Sequence, residues 1–148
     1  MFYFCSYKDI MNKYLNSRVL LPIYLCKVEA GFPSPAENYV EQELDLKEHL
    51  IRNSDSTFLV RATGKSMVNV GISPGDILIV DRSLEAKNNS IIIVSIDGEL
   101  TVKRLIKDNE NKKSYLKSEN LDYPNIDLKI ESDTMIWGVV TYSIHKTT

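Results

Sequence analysis

Apolar residues along this chain recur mostly with period 2, in runs broken by Gly, Pro, Asp and Asn. Phe58, Val60 and Ala62 alternate with Leu59 and Arg61, the pattern of a partly buried strand, and the run breaks at Gly64 into Lys65-Ser66-Met67. Ile72 to Asp76 reads as a turn, because Pro74 presets its own φ and Gly75 supplies permissive backbone. The uninterrupted run Ile77 to Val80 then predicts a strand buried on both faces and ending at Asp81. Ser90 to Ile96 and Glu99 to Ile106 flank Asp97-Gly98, a strong signal for a two-residue hairpin with positive φ at both central positions. Ser114 to Lys117, Ile126 to Ile130 and Thr134 to Ile144 supply further strands, with Tyr123-Pro124-Asn125 between the first two.

Helical signal is sparse. Asp45 followed by Glu48 reads as an N-cap with a capping-box partner, and Leu46 and Leu50 share a face, which predicts a helix of about two turns. Residues 1–30 are less ordered in pattern: Phe2 to Phe4 and Leu20 to Leu25 are strand-like in composition, and Lys8 to Leu15 would suit a short helix. The expected fold is mostly β: small twisted sheets and one short helix over residues 37–148, preceded by an extended arm over residues 1–36.

Composition narrows the function classes. With 148 residues, 43% of them apolar and 26% charged, the chain suits one globular domain plus an arm. A net charge of −2 argues against a nucleic-acid-coating surface, which is usually basic. Cys5 and Cys26 lack metal-ligand spacing, so neither a zinc site nor a disulfide framework is expected, and no cofactor is implied. The apolar run Val19 to Leu25 is short and contains Pro22, which fits neither a membrane span nor a signal peptide, so a cytoplasmic location is expected. No pair of amphipathic helices suggests a helix-turn-helix.

Two residues attract attention as chemistry. On the outgoing hairpin strand Thr101, Lys103 and Leu105 share one face, so a lysine is aimed at the packed side, where an ammonium is costly unless paired or neutralised. A serine hydroxyl needs a base to become a nucleophile, and a neutral lysine amine is one known solution. An ordinary lysine holds its proton at pH 7 by roughly 4–5 kcal/mol, and desolvation works against that hold. Ser66 and Lys103 are therefore the candidate nucleophile and general base, although their spacing alone does not single them out. Asp76 and Asp81 are better explained as a turn residue and a strand terminus. His49 reads as a solvated helix residue, and with His145 as the only other histidine a Ser-His-Asp triad is poorly supported.

The motifs add a resemblance. Gly64-Lys65-Ser66-Met67, then Gly71-Ile72-Ser73-Pro74-Gly75-Asp76 with Val80-Asp81, then Asp97-Gly98-Glu99 with Thr101-Val102-Lys103, closely resemble the LexA/UmuD family of self-cleaving Ser-Lys proteases. Trp137-Gly138-Val139-Val140 resembles that family's closing strand, whose aromatic and β-branched residues would fill the core. Lys87-Asn88-Asn89-Ser90 departs from the Gly-Asp often found in the family at that bend.

Upstream, Pro33 and Pro35 enforce extended backbone beside Ala30-Gly31, the smallest side chains at one peptide bond. Taken alone this is a linker; in the resembling family an Ala-Gly or Cys-Gly bond before the catalytic domain is the self-cleavage site. Ala30 stands 36 positions before Ser66, and Gly31 to Ala36 with Asp45-Leu46 resembles the UmuD branch. That resemblance implies cleavage at Ala30-Gly31 by Ser66 and Lys103, with backbone N–H groups of Ser66 and Met67 as oxyanion donors. It also implies stimulation by a RecA filament on single-stranded DNA, and a truncated homodimer that serves a UmuC-like Y-family polymerase in translesion synthesis. Three alternatives stay open: a LexA-like self-cleaving transcriptional regulator, a signal-peptidase-like enzyme, which would need a membrane anchor, and a non-catalytic polymerase-binding module.

Overall fold

The computed structural model describes residues 19–24, 31, 40–111, 113–128 and 133–148. The readings at Phe2 to Phe4, at Lys8 to Leu15 and at the two prolines lie outside the described residues, as does the expected arm boundary at 36/37. The chain divides into two units, Met1–His49 and Leu50–Thr148.

In the first unit β1 (Leu20–Tyr24) pairs antiparallel with β2 (Val40–Asp45), Leu20 standing opposite Asp45. A short helix, α1 (Leu46–Leu50), begins where Asp45 Oδ1 accepts the N–H groups of Lys47 at 2.9 Å and Glu48 at 3.3 Å, so the expected cap is present. It spans less than the two turns expected. Leu46 remains about half exposed, so little apolar burial is available to extend so short a helix.

The second unit is a seven-stranded antiparallel sheet of β3 (Thr57–Arg61), β4 (Ile77–Asp81), β5 (Ile91–Ile96), β6 (Glu99–Asp108), β7 (Lys113–Lys117), β8 (Ile126–Asp127) and β9 (Thr134–Ile144), in the order β3-β4-β9-β5-β6-β7-β8. The long closing strand joins two halves: Val139 to Ile144 pair with β4, and Thr134 to Val139 pair with β5. Register slips at Ile79/Val80 and Ile93/Val94 mark bulges where the sheet bends.

Alternation along β5 separates two cores. Ile93 joins Ala62, Met67, Ile72, Leu78 and Val80, whereas Ile92 and Val94 join Leu105 and Leu116. A continuous apolar run is needed because both faces of this strand are covered. The hairpin turns at Asp97 (φ 50°) and Gly98 (φ 85°), the two positive φ values expected of its Asp-Gly. At the bend before β5, Asn89 adopts φ 69°, so asparagine fills a left-handed position that few residues other than glycine tolerate. Its N–H donates to Leu105 O at 2.8 Å, fixing the bend to β6.

The closing strand departs from expectation at one residue. Gly138 is buried, but Trp137 stands at the rim, edge-on to Phe58 with centroids 6.4 Å apart, and the Arg82 guanidinium covers both rings at 4.5 and 5.2 Å. An indole stacked under a cation is stable without full burial. Gly138 lies where β9 crosses β4. A Cβ there would stand 2.8 Å from Val80 Cγ1 and 3.0 Å from the Asp81 carbonyl oxygen, closer than carbon tolerates. Gly138→Ala is expected to lower stability by about 1–3 kcal/mol, since a packed core must shift to admit one methyl; a reduced urea midpoint with unchanged slope would register it.

Candidate active site

Strand β3 delivers the chain to the serine. Past Arg61, Ala62 N–H donates to Asp76 O at 2.8 Å and Gly75 N–H to Ala62 O at 2.9 Å, so the segment leaves the sheet at a fixed point. Gly64 (φ 75°) then reverses the chain into Lys65-Ser66-Met67, and a single 3-10 turn follows over Val68–Val70. Met67, 2% exposed, plugs the first core and anchors the loop from below. Its carbonyl accepts the N–H groups of Val70 at 3.2 Å and Ile72 at 3.3 Å. Ser66, half-buried, is left at the rim.

Lys103 arrives from β6. It is the cross-strand neighbour of Ile92 and shares its face with Leu105, so its stem lies against the second core and the residue is only 7% exposed. Its Nζ lies 2.9 Å from Ser66 Oγ, within hydrogen-bonding distance. Among the described residues no carboxylate lies within 4 Å of that nitrogen. Burial without an anionic partner penalises the ammonium, and the Lys103 pKa is accordingly lowered from 10.5 by desolvation. In the neutral form the hydrogen bond runs from the Ser66 hydroxyl to the amine lone pair, the geometry a general base requires.

Two cavities flank the pair. One of about 110 Å³ is lined by Val60, Ala62, Ser66, Leu78 and Ile93 among others, and one of about 550 Å³ by Lys103, Ser118, Tyr123, Pro124 and Ile126 among others. Leu100 and Thr101 line both. Among the described residues the backbone N–H groups of Ser66 and Met67 have no acceptor, leaving two donors next to the hydroxyl. Such donors can stabilise a developing oxyanion. Gly31 is exposed, and Ala30 lies outside the described residues.

The remaining titratable residues serve the frame. Asp76, 2% exposed, accepts Ser73 N–H at 2.8 Å and Ser143 Oγ–H at 3.2 Å through Oδ2, while His145 Nδ1 lies 2.6 Å from Oδ1. The Ser73 backbone N–H, ahead of His145, holds the Asp76 pKa below its usual value. Asp81 Oδ1 accepts Ser83 Oγ–H at 2.6 Å, Ser56 Oγ–H at 2.8 Å and Ser83 N–H at 2.8 Å, and Ser83 foremost lowers its pKa. Asp76 and Asp81 thus bind a turn and a strand end, as read from the sequence. The Asp76–His145 contact was not legible there, because its partners are 69 positions apart. A third cavity, of about 240 Å³, is lined by Asp81 with Arg52, Thr57 and Tyr142 among others and shares no lining residue with those at Ser66 and Lys103.

Two acid–base predictions follow from these environments. A carboxylate whose pKa is lower folded than unfolded adds stability above the unfolded value and loses it as pH falls through the folded one. Urea stability is therefore expected to decline from about pH 5 downward, and Asp76→Asn should flatten that decline. For Lys103 the sign differs: a lowered amine pKa means that the folded state is penalised while the amine is protonated and relieved as pH rises. Lys103→Met should raise the melting temperature at pH 7, by an amount that shrinks toward pH 10.

The Peptidase S24-like family model matches residues 22–141. Protein MucA of Escherichia coli is 41% identical over 138 residues, covering 92% of this chain and 92% of its own. Protein ImpA of Shigella flexneri is 41% identical over 126 residues, covering 85% and 84%. A LexA repressor, from Shewanella denitrificans, is 37% identical over 111 residues, covering 74% of this chain and 53% of its own.

Proposed function

The chain belongs to the Peptidase S24-like family, the LexA/UmuD group of self-cleaving serine proteases, and we propose that it is a UmuD-like member that cleaves its own Ala30-Gly31 bond with Ser66 as nucleophile and Lys103 as general base. The observation that carries this reading is the 2.9 Å contact between Ser66 Oγ and a buried Lys103 amine.

In the proposed reaction neutral Lys103 takes the hydroxyl proton as Ser66 Oγ attacks the Ala30 carbonyl carbon. The N–H groups of Ser66 and Met67 receive the resulting oxyanion. When the intermediate collapses, the Ala30–Gly31 C–N bond breaks, and Lys103 returns its proton to the Gly31 nitrogen, which leaves as an amine. Water, deprotonated by the same lysine, then hydrolyses the Ser66 ester, freeing residues 1–30 as a carboxylate and leaving residues 31–148. Alanine and glycine suit this role because small side chains let a carbonyl approach the nucleophile closely. Tethering the bond to its own enzyme can raise effective molarity to about 10⁵ M or more.

The biological setting proposed is SOS mutagenesis. A RecA filament on single-stranded DNA would stimulate cleavage, and the truncated homodimer would act as accessory subunit of a UmuC-like Y-family polymerase. The 41% identity to MucA and ImpA, against 37% to the LexA repressor, favours this over a LexA-like regulator. No helix among the described residues is long and apolar enough to cross a membrane.

Intact mass spectrometry tests the reading. After incubation at alkaline pH, or with RecA, ATP analogue and single-stranded DNA, wild type should yield residues 31–148, and Ser66→Ala and Lys103→Ala should stay intact. The alkaline rate should rise with pH and level off below the ordinary lysine value of 10.5, because burial already favours the free amine. An intact wild type under both conditions would leave a non-catalytic polymerase-binding module.

A further inference from the structure

The segment after β7 reaches across to the serine loop at two points. Asn120 Nδ2 donates to Lys65 O at 2.9 Å, and Asn69 N–H donates to Glu119 O at 3.0 Å, so consecutive residues grip the chain on either side of Ser66. The segment is itself fixed. Asn120 Oδ1 accepts Asp122 N–H at 3.0 Å, which leaves the NH₂ end of the amide facing Lys65 and settles its orientation. Ser118, 6% exposed, donates its hydroxyl to Pro124 O at 3.2 Å, and its N–H donates to Asn125 Oδ1 at 3.3 Å. Glu119 Oε1 accepts Arg104 Nε–H, and Arg104 is the residue after Lys103 on β6.

The consequence lies in the peptide between Lys65 and Ser66. It is trans, as are all described peptide bonds, so its C=O and N–H point in opposite directions within one rigid plane. Lys65 O also accepts Val68 N–H, but at 3.4 Å against 2.9 Å from Asn120; the shorter bond to Asn120 aims the Ser66 N–H away from Asn120, and that N–H has no acceptor among the described residues. An oxyanion donor is effective only when its direction is set before the charge develops. We infer that Asn120 is a positioning residue for the Ser66 chemistry: by holding the Lys65 carbonyl it orients the Ser66 N–H as an oxyanion donor, while the Arg104–Glu119 pair ties the same segment to the strand bearing Lys103.

This rests on the self-cleavage reading, so the test uses two readouts. Full-length wild type and Asn120→Ser are compared for self-cleavage and for labelling of Ser66 by a fluorophosphonate, whose phosphoryl oxygen needs the same donor but no arm. Serine keeps an oxygen near Asp122 N–H and is too short to reach Lys65. The plateau rate at high pH is expected to fall on the order of 10- to 100-fold, less than the roughly 10²–10³ lost when an oxyanion donor is removed outright. The pH midpoint should not move, because Lys103 stays buried. An unchanged plateau would overturn the inference. So would a midpoint displaced toward an ordinary lysine, since the segment would then act by burying Lys103 and not by orienting the peptide. If Asn120→Ser fails to fold, Asn120→Asp, which keeps the shape and the turn acceptor but loses the donor, should show the same plateau loss. A wild type that labels at Ser66 without cleaving would sink self-cleavage alone, leaving labelling to judge Asn120; a wild type inert to both would sink the two together.

Discussion

Everything at the candidate site depends on one burial: the Lys103 amine, carried on a β-strand against an apolar core, with a serine hydroxyl and, among the described residues, no carboxylate beside it. A paired lysine would keep its proton and be useless as a base. An exposed one would keep it too. Only desolvation without compensation presses the amine toward its neutral form, and the fold accepts the cost because the rest of the strand is well packed. The site thus stores a local instability that serves the proposed chemistry.

The sheet makes that arrangement possible through β5. Its two faces build two cores, one holding Met67 beneath the serine loop and the other holding Leu105 beside the lysine. Ser66 and Lys103 are therefore carried by segments packed on different hydrophobic clusters, Ser66 next to Met67 of the first and Lys103 two positions before Leu105 of the second. Hydrogen bonds from Asn120 and Asn69 then hold the serine loop where packing alone would leave it free to shift.

Much of this was legible in the chain. Strand β9 was read with the bounds it has in the structure, the Asp97-Gly98 turn with its positive φ values, and Asp45 as a helix cap, because each is encoded within a few residues. The facing of Lys103 followed from period 2, and its burial agrees. The resemblance places Trp137 in the core, whereas it stands at the rim under Arg82, a contact that no local pattern encodes. The Asp76–His145 contact and the grip of Glu119 and Asn120 on the serine loop escaped notice, because their partners lie 69 and about 50 positions away and polar residues in loops carry no periodicity.

By itself, then, the sequence determined the strands β3 to β7 and β9, the turn at Asp97-Gly98, the buried face of β6 and the motifs around Ser66 and Lys103, but not β2, which lies in a stretch where only a helix was expected. These are local matters of alternation and backbone preference. Tertiary structure alone decided that the hydroxyl and the amine stand 2.9 Å apart, that among the described residues no carboxylate accompanies them, and that an asparagine from a distant loop hydrogen-bonds the carbonyl before the serine. Those facts depend on which strands become neighbours and where loops cross, and neighbourhood between distant segments is set by the packing of the whole sheet.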